Sequence, residues 1–164
     1  MVTLRSQVVS LVKRGAFEDA VALARSALEQ DAASAEAWGV LSHAHEIAGD
    51  FESALQAANR AVELGAEEPA HWFQRGWLHL LVDEAQNSLS DMQKVLILGN
   101  GYYAETAAFL AAESLRRLHR YAEALEQCAT VRDDFSVFIG GPLSKATLVT
   151  SCTRALWHRE ALAA

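Results

Sequence analysis

Gly15-Ala16-Phe17, followed by Ala20, Ala24 and Ala27, is matched 34 positions later by Gly49-Asp50-Phe51, followed by Ala54, Ala58 and Ala61. Every landmark of the first stretch has its counterpart one period on. A period of this length belongs to a unit of two helices that cannot bury its apolar face alone and stacks on its neighbours. The pattern therefore fixes an all-α architecture of helical hairpins before any single residue is weighed.

Working outward, each unit reads as helix A, a tight turn and helix B. Unit one covers about 1–34, with helices near 2–14 and 17–30, and unit two covers 35–68, with helices near 35–48 and 51–64. In unit two Trp38, Leu41, Ser42 and His45 fall at i, i+3, i+4 and i+7, one face of a helix. Unit three, 69–102, starts at Pro69, a favoured first helical residue, and carries Trp72, Arg75, Gly76 and His79 at the same offsets. Its turn is degenerate: Asp83-Glu84-Ala85 stands for Gly-Asp-Phe, and Ser88, Met92 and Val95 stand for the alanines.

Unit four, 105–134, is displaced by two residues, absorbed at Gly99-Asn100-Gly101. Its helix A lies near 103–118, and Arg120-Tyr121 with Ala124, Cys128 and Val131 opens and fills helix B. Residues 132–141 read as a connector. Pro142 is expected to start a last helix, about 142–161, that caps the stack with Leu148, Cys152, Ala155 and Leu156 on one stripe. The whole chain, 1–164, reads as one domain.

Composition agrees. The chain has 164 residues, 51% of them hydrophobic but only 8% aromatic, and the surplus is alanine, the best helix former. The formal charge of −7 and the lack of a dense basic stripe exclude a nucleic-acid binder. Arg5, Lys13, Arg14 and Arg25 outweigh the acids of the first thirty residues, while 29–91 is acidic; both read as solvated helix faces. Cys128 and Cys152 make neither a metal pair nor a disulfide framework and read as buried small hydrophobes. The apolar run Val8–Val12 meets Lys13 at once, too soon for a signal-peptide core or a membrane span. The expectation is a cytoplasmic protein, with no membrane partner and Met1 as its natural start.

The recurring residues give the resemblance its name. The chain resembles the tetratricopeptide repeat family, whose pattern runs Trp/Leu, Leu, Gly/Ala, Tyr/His, then Gly-Asp-Tyr/Phe and three spaced alanines, over roughly residues 1–134. The resemblance implies a right-handed α-α superhelix, a tetratricopeptide solenoid of four helical hairpins plus a C-terminal capping helix. Departures are Arg75 at a usually apolar position, the turn at 83–85, and Ala66 or Asn100 where the family often has proline.

In this family the second, fifth, ninth, twelfth and thirteenth residues of each A helix face a concave groove. Carried over, these are Val2, Arg5, Val9, Val12 and Lys13; then Glu36, Gly39, His43, Glu46 and Ile47. The third unit offers Ala70, Phe73, Trp77, Leu80 and Leu81, and the fourth Thr106, Phe109, Glu113, Arg116 and Arg117. Phe73 and Trp77 lie four apart on one helix face, and Phe109 holds the equivalent level in the next unit. The expected function is non-catalytic capture of a partner's peptide or helix, with Phe73, Trp77 and Phe109 as anchors. The competing reading is that these aromatics meet the chain's own Phe135, Phe138 and Ile139. A clamp for acidic chaperone tails is excluded, because the matching sites include Val9, Val40, Ala70 and Gln74.

Catalysis finds no support in the residues. His43-Ala44-His45 lies on one helix, but alternate residues point about 200° apart and cannot share an ion. His45 and His79 fall at the family's Tyr/His packing position. No His-Glu-x-x-His motif, phosphate loop or nucleophile elbow is present, so no enzyme, metal or cofactor is expected. Adaptor, chaperone or assembly factor are the roles in view. The short array is similar in architecture to the repeat chaperones of bacterial type III secretion, and the arginine-rich, lysine-poor usage suits a high-GC bacterium. A toxin-immunity protein and a self-associating structural unit, a homodimer, are the alternatives.

Overall fold

The computed structural model describes residues 3–99 and 101–163. Val2 and Asn100, singled out above, lie outside the described residues. Among the described residues the order is α1 (Leu4–Lys13), α2 (Phe17–Gln30), α3 (Ala35–Ile47), α4 (Phe51–Leu64), α5 (Pro69–Leu81), α6 (Ala85–Leu98), α7 (Gly101–Arg117), α8 (Tyr121–Cys128), β1 (Ser136–Phe138), β2 (Pro142–Ser144) and α9 (Lys145–Ala163). The fold is all-α and built of helical hairpins. The chain divides into two compact units, residues 1–78 and 79–164, with the border inside α5.

The turn between paired helices repeats in geometry even where it fails to repeat in sequence. Gly15 (φ +75°), Gly49 (+81°), Asp83 (+63°) and His119 (+60°) all take left-handed backbone. The residue after each closes the same bond across the helix end: Ala16 N–H to Leu11 C=O, Asp50 to His45, Glu84 to His79 and Arg120 to Leu115, at 2.7–3.0 Å. This closure satisfies a carbonyl that the helix leaves without a partner. The degenerate turn at 83–85 is therefore the same turn, held without glycine.

In the first unit α1 packs on α2, α2 on α3 and α3 on α4. Val8, Ala20, Ala24, Val40, Leu41, Ala44 and Ala57 form a core closed to solvent. Ala20 and Ala54, one period apart, are both 0% exposed, as expected where two helices cross too closely for a longer side chain. Trp38 and Trp72 also repeat a contact: each donates its indole N–H to the carbonyl six residues back, Trp38 to Ala32 at 2.9 Å and Trp72 to Ala66 at 2.7 Å. Arg75, out of place in the family pattern, lays its guanidinium 4.9 Å from the centre of the Trp72 ring and donates to Asn59 at 3.1 Å. Such stacking explains how a cation replaces an apolar residue there.

In the second unit α6 packs on α7, α7 on α8, and α9 on both α7 and α8. Ala124, Cys128, Leu148 and Cys152 are buried between them. Ser88 takes the alanine position at 0% exposure, with Ser114 Oγ 3.2 Å from its hydroxyl. Two expectations need correction. Residues 132–141 are not a plain connector, and Pro142 does not start the last helix. Ser136–Phe138 and Pro142–Ser144 pair as a short antiparallel hairpin, and α9 begins at Lys145. Gly140 (φ +62°) supplies the reversal that a side chain would strain.

Candidate functional site

Helices α3 and α5 meet in the first unit through one carboxylate. Glu46 stands three residues before left-handed Gly49, and its side chain is only 15% exposed. Its Oε2 lies 3.3 Å from His43 Nδ1, and its Oε1 accepts the indole N–H of Trp77 at 2.9 Å. Trp77 is half-buried, its ring orientation set by that bond. Phe73, one turn earlier on α5, and Val9 on α1 are half-buried too, while Ile47 is 42% exposed. An aromatic ring held in place and left partly open offers contact area at little further cost in side-chain freedom.

The first unit also holds a feature the repeat pattern does not announce. His71 is 6% exposed, seated where Gly39 and Gly65 lack side chains. A Cβ on Gly39 would lie 3.2 Å from His71 Nδ1; one on Gly65 would lie 2.9 Å from both Ala35 Cβ and His71 Cδ2. Neither His71 Nδ1 nor the amide nitrogen of Gln74 makes a hydrogen bond. Burial pushes the His71 pKa below its ordinary value and Arg5 adds to this, with Glu68 and Glu36 pulling the other way. The available signal was glycine at positions 39 and 65, one within α3 and one at the end of α4.

The second unit corrects three of the expected groove residues. Phe109 is 0% exposed, with its ring 5.1 Å from that of Phe135. It is covered by the chain's own segment and is not an anchor open to an outside partner. Leu80, at 1% exposure, is likewise core. Glu113 is 2% exposed and accepts from Arg116 Nε (2.7 Å) and Nη2 (2.8 Å) and from Arg117 Nε (2.8 Å). Burial pushes its pKa up, but the two guanidiniums outweigh that and hold it below the usual carboxylate range. Arg117 also donates to the Leu80 carbonyl at 2.8 Å and to Asp83 at 3.1 Å. These charges tie α7 to the turn after α5. Arg116, with its side chain 31% exposed, keeps the most access to solvent of the three.

The histidines separate. His43 turns to Glu46, whereas His45 lies 3.4 Å from Asp50. His79 sits between Glu84 at 2.7 Å and Asp91 at 3.8 Å. Among the described residues no cluster of three or more His, Cys, Asp or Glu is placed to hold a metal ion, and no helix is long and apolar enough to cross a membrane.

Residues 6–81 match the sequence profile of the tetratricopeptide repeat family. Among solved structures, MamA from AMB-1 is similar at 17% identity and a TM-score of 0.76, over 98% of this chain and 92% of that one. TTC0263, a thermophilic repeat protein of the same family from Thermus thermophilus, is similar at 19% identity and 0.64, over 94% and 80%. YrrB, described as a tetratricopeptide repeat protein with an unusual peptide-binding site, is similar at 21% identity and 0.65, over 74% and 62%. At these identities the likeness is one of fold. No curated protein matches the chain in sequence. Residues 6–81 thus carry the tetratricopeptide repeat profile, and the left-handed turns at Asp83 and His119 continue the same hairpin geometry beyond that stretch.

Proposed function

We propose that this protein is a non-catalytic binding module whose inner helix face in the first unit receives an apolar segment of a partner protein. The observation that carries this is Trp77: half-buried and hydrogen-bonded to Glu46 rather than sealed in the core. Phe73, Ile47 and Val9 complete the apolar surface, and His43 with Glu46 supplies a polar margin. Buried Phe109, Leu80 and Glu113 are not part of it. The family match supports a protein partner, and the peptide-binding site in YrrB's description is a precedent on the same fold. A cytoplasmic adaptor or assembly role follows from this reading.

The test uses wild type and Trp77→Ala side by side as bait in an extract of the native cell. A protein held by wild type and lost from the variant, with helical circular dichroism unchanged, supports the reading. Equal capture by both overturns it.

A further inference from the structure

Trp38 and Trp72 sit one period apart, and the bonds of their indoles to Ala32 and Ala66 place the two rings alike. What meets each ring then differs. Arg75 lays its guanidinium 4.9 Å from the centre of the Trp72 ring and donates to Asn59 Oδ1 at 3.1 Å. One period earlier, the counterpart of Arg75 is Leu41 and the counterpart of Asn59 is Arg25. Leu41 is buried and uncharged, so it supplies no guanidinium to Trp38. Arg60 comes no closer than 6.0 Å to the centre of that ring and is held by Glu63.

An open cleft of about 440 Å³ lies there instead, between α2, α3 and α4. Half-buried Trp38 and buried Leu28, Leu41 and Ala57 line it, and Arg25 and Glu29 stand exposed at its rim. Arg25 and Glu29 are one turn apart on α2, about 6 Å along the axis. Among the described residues neither closes an ion pair, and arginine four residues ahead of glutamate is the weaker orientation for pairing. The charge of Arg25 reaches into the cleft: His45, another lining residue, has its pKa lowered by burial and further by Arg25, against the pull of Asp50. The cleft thus offers one cation and one anion beside an aromatic ring.

We propose that this cleft binds arginine by its guanidinium and its carboxylate together, as the free amino acid or as the last residue of a polypeptide. The guanidinium takes the place over Trp38 that Arg75 holds over Trp72, and Glu29 accepts its N–H bonds. Arg25 cannot accept a hydrogen bond where Asn59 does, and it would repel a cation that came alone. The ligand therefore brings its own anion, and its carboxylate pairs with Arg25. The spacing of Arg25 and Glu29 along α2 is comparable to the reach between the two charged ends of an arginine. A lysine lacks the planar group that stacks on the ring and forks to a carboxylate. This site goes beyond the binding module proposed above and shares no residue with it.

Titration of the nitrogen-15-labelled chain with L-arginine, read by NMR at the indole N–H signals, tests the proposal. The Trp38 signal is expected to shift and saturate. Trp72, whose ring Arg75 already covers, should hold its place, and exposed Trp157 reports non-specific stacking. Citrulline, with a neutral side chain, and agmatine, without a carboxylate, should each bind about tenfold more weakly, the scale of one charged hydrogen bond. Glu29→Gln should weaken arginine binding by about as much. Leu41→Arg, which gives this repeat the guanidinium that Arg75 gives the next, should leave no site. The peptide Gly-Gly-Arg separates the two sources: saturation by the free amino acid alone assigns the cleft to arginine itself, and saturation by the peptide assigns it to a protein's C-terminus. Either supports the proposal. Failure of both probes overturns it, and so does a Trp38 shift that never saturates and only follows that of Trp157. Citrulline binding as tightly as arginine also overturns it, as does a response indifferent to Glu29→Gln. That surface substitution decides the matter even if Leu41→Arg misfolds.

Discussion

The indole N–H of Trp77 donates to Glu46 Oε1 at 2.9 Å, tying an aromatic ring on α5 to a carboxylate on α3. The ring is thereby presented in one orientation before any partner arrives. Trp77→Ala is expected to remove about 2 kcal/mol or more of partner binding, the scale of a central aromatic anchor. Glu46→Gln, which keeps an acceptor, should weaken binding far less than Glu46→Ala. Titration calorimetry with the captured partner gives both numbers.

Gly65→Ala should destabilise the first unit. The new methyl would meet Ala35 Cβ and the His71 ring at 2.9 Å, and overpacking of this kind costs about 1–3 kcal/mol. Gly39→Ala, at 3.2 Å from the same ring, should cost less. Urea unfolding of the two variants against wild type measures the difference.

His71 makes stability depend on pH. Burial lowers its folded pKa below 6.5, so between the two values the unfolded chain binds more protons. Stability from this group is intact above pH 6.5 and declines as pH falls through that value toward the folded one. His45, also lowered chiefly by burial, adds a contribution of the same sign. His71→Leu should flatten the fall in Tm between pH 7 and 5 without abolishing it, and scanning calorimetry at several pH values checks this.

Glu113→Ala strips two guanidiniums of their shared carboxylate. Breaking a buried pair costs about 3–5 kcal/mol, and the lower end applies because Arg116 and Arg117 retain access to water. The pair's contribution is full above the ordinary carboxylate value of 4.5 and fades as pH drops through the depressed folded one. Chemical denaturation of wild type and variant at pH 7 gives the size of the effect.

His119 occupies a left-handed backbone position where Gly15 and Gly49 stand in the first unit. A side chain there costs about 1–2 kcal/mol relative to glycine. His119→Gly should raise stability by somewhat less, because the 2.7 Å contact with the Tyr121 hydroxyl is lost. Thermal unfolding is the readout.

Hairpin pairing is legible in the sequence because it rests on spacing: Ala20, Ala54 and, two residues late after the shift at 99–101, Ala124 all lie at zero exposure. Even the altered turn at Asp83 obeys the period, since backbone closure there depends on the carbonyl five residues back rather than on glycine. Phe109 departs from expectation because a groove position carried over by register takes no account of residues outside the register. Phe135, inserted before the strand hairpin, covers it. His71 escapes sequence reading for a related reason: its seat is made by two absent side chains, which no motif records.

Trp38 and Trp72 each fasten to a carbonyl within their own approach to the helix, Ala32 and Ala66. Ala32 closes unit one and Ala66 closes unit two, so each clasp fastens a repeat to the end of the one before it. A module added or lost at such a joint keeps its buckle, because all it asks of its neighbour is a main-chain oxygen, which any residue supplies.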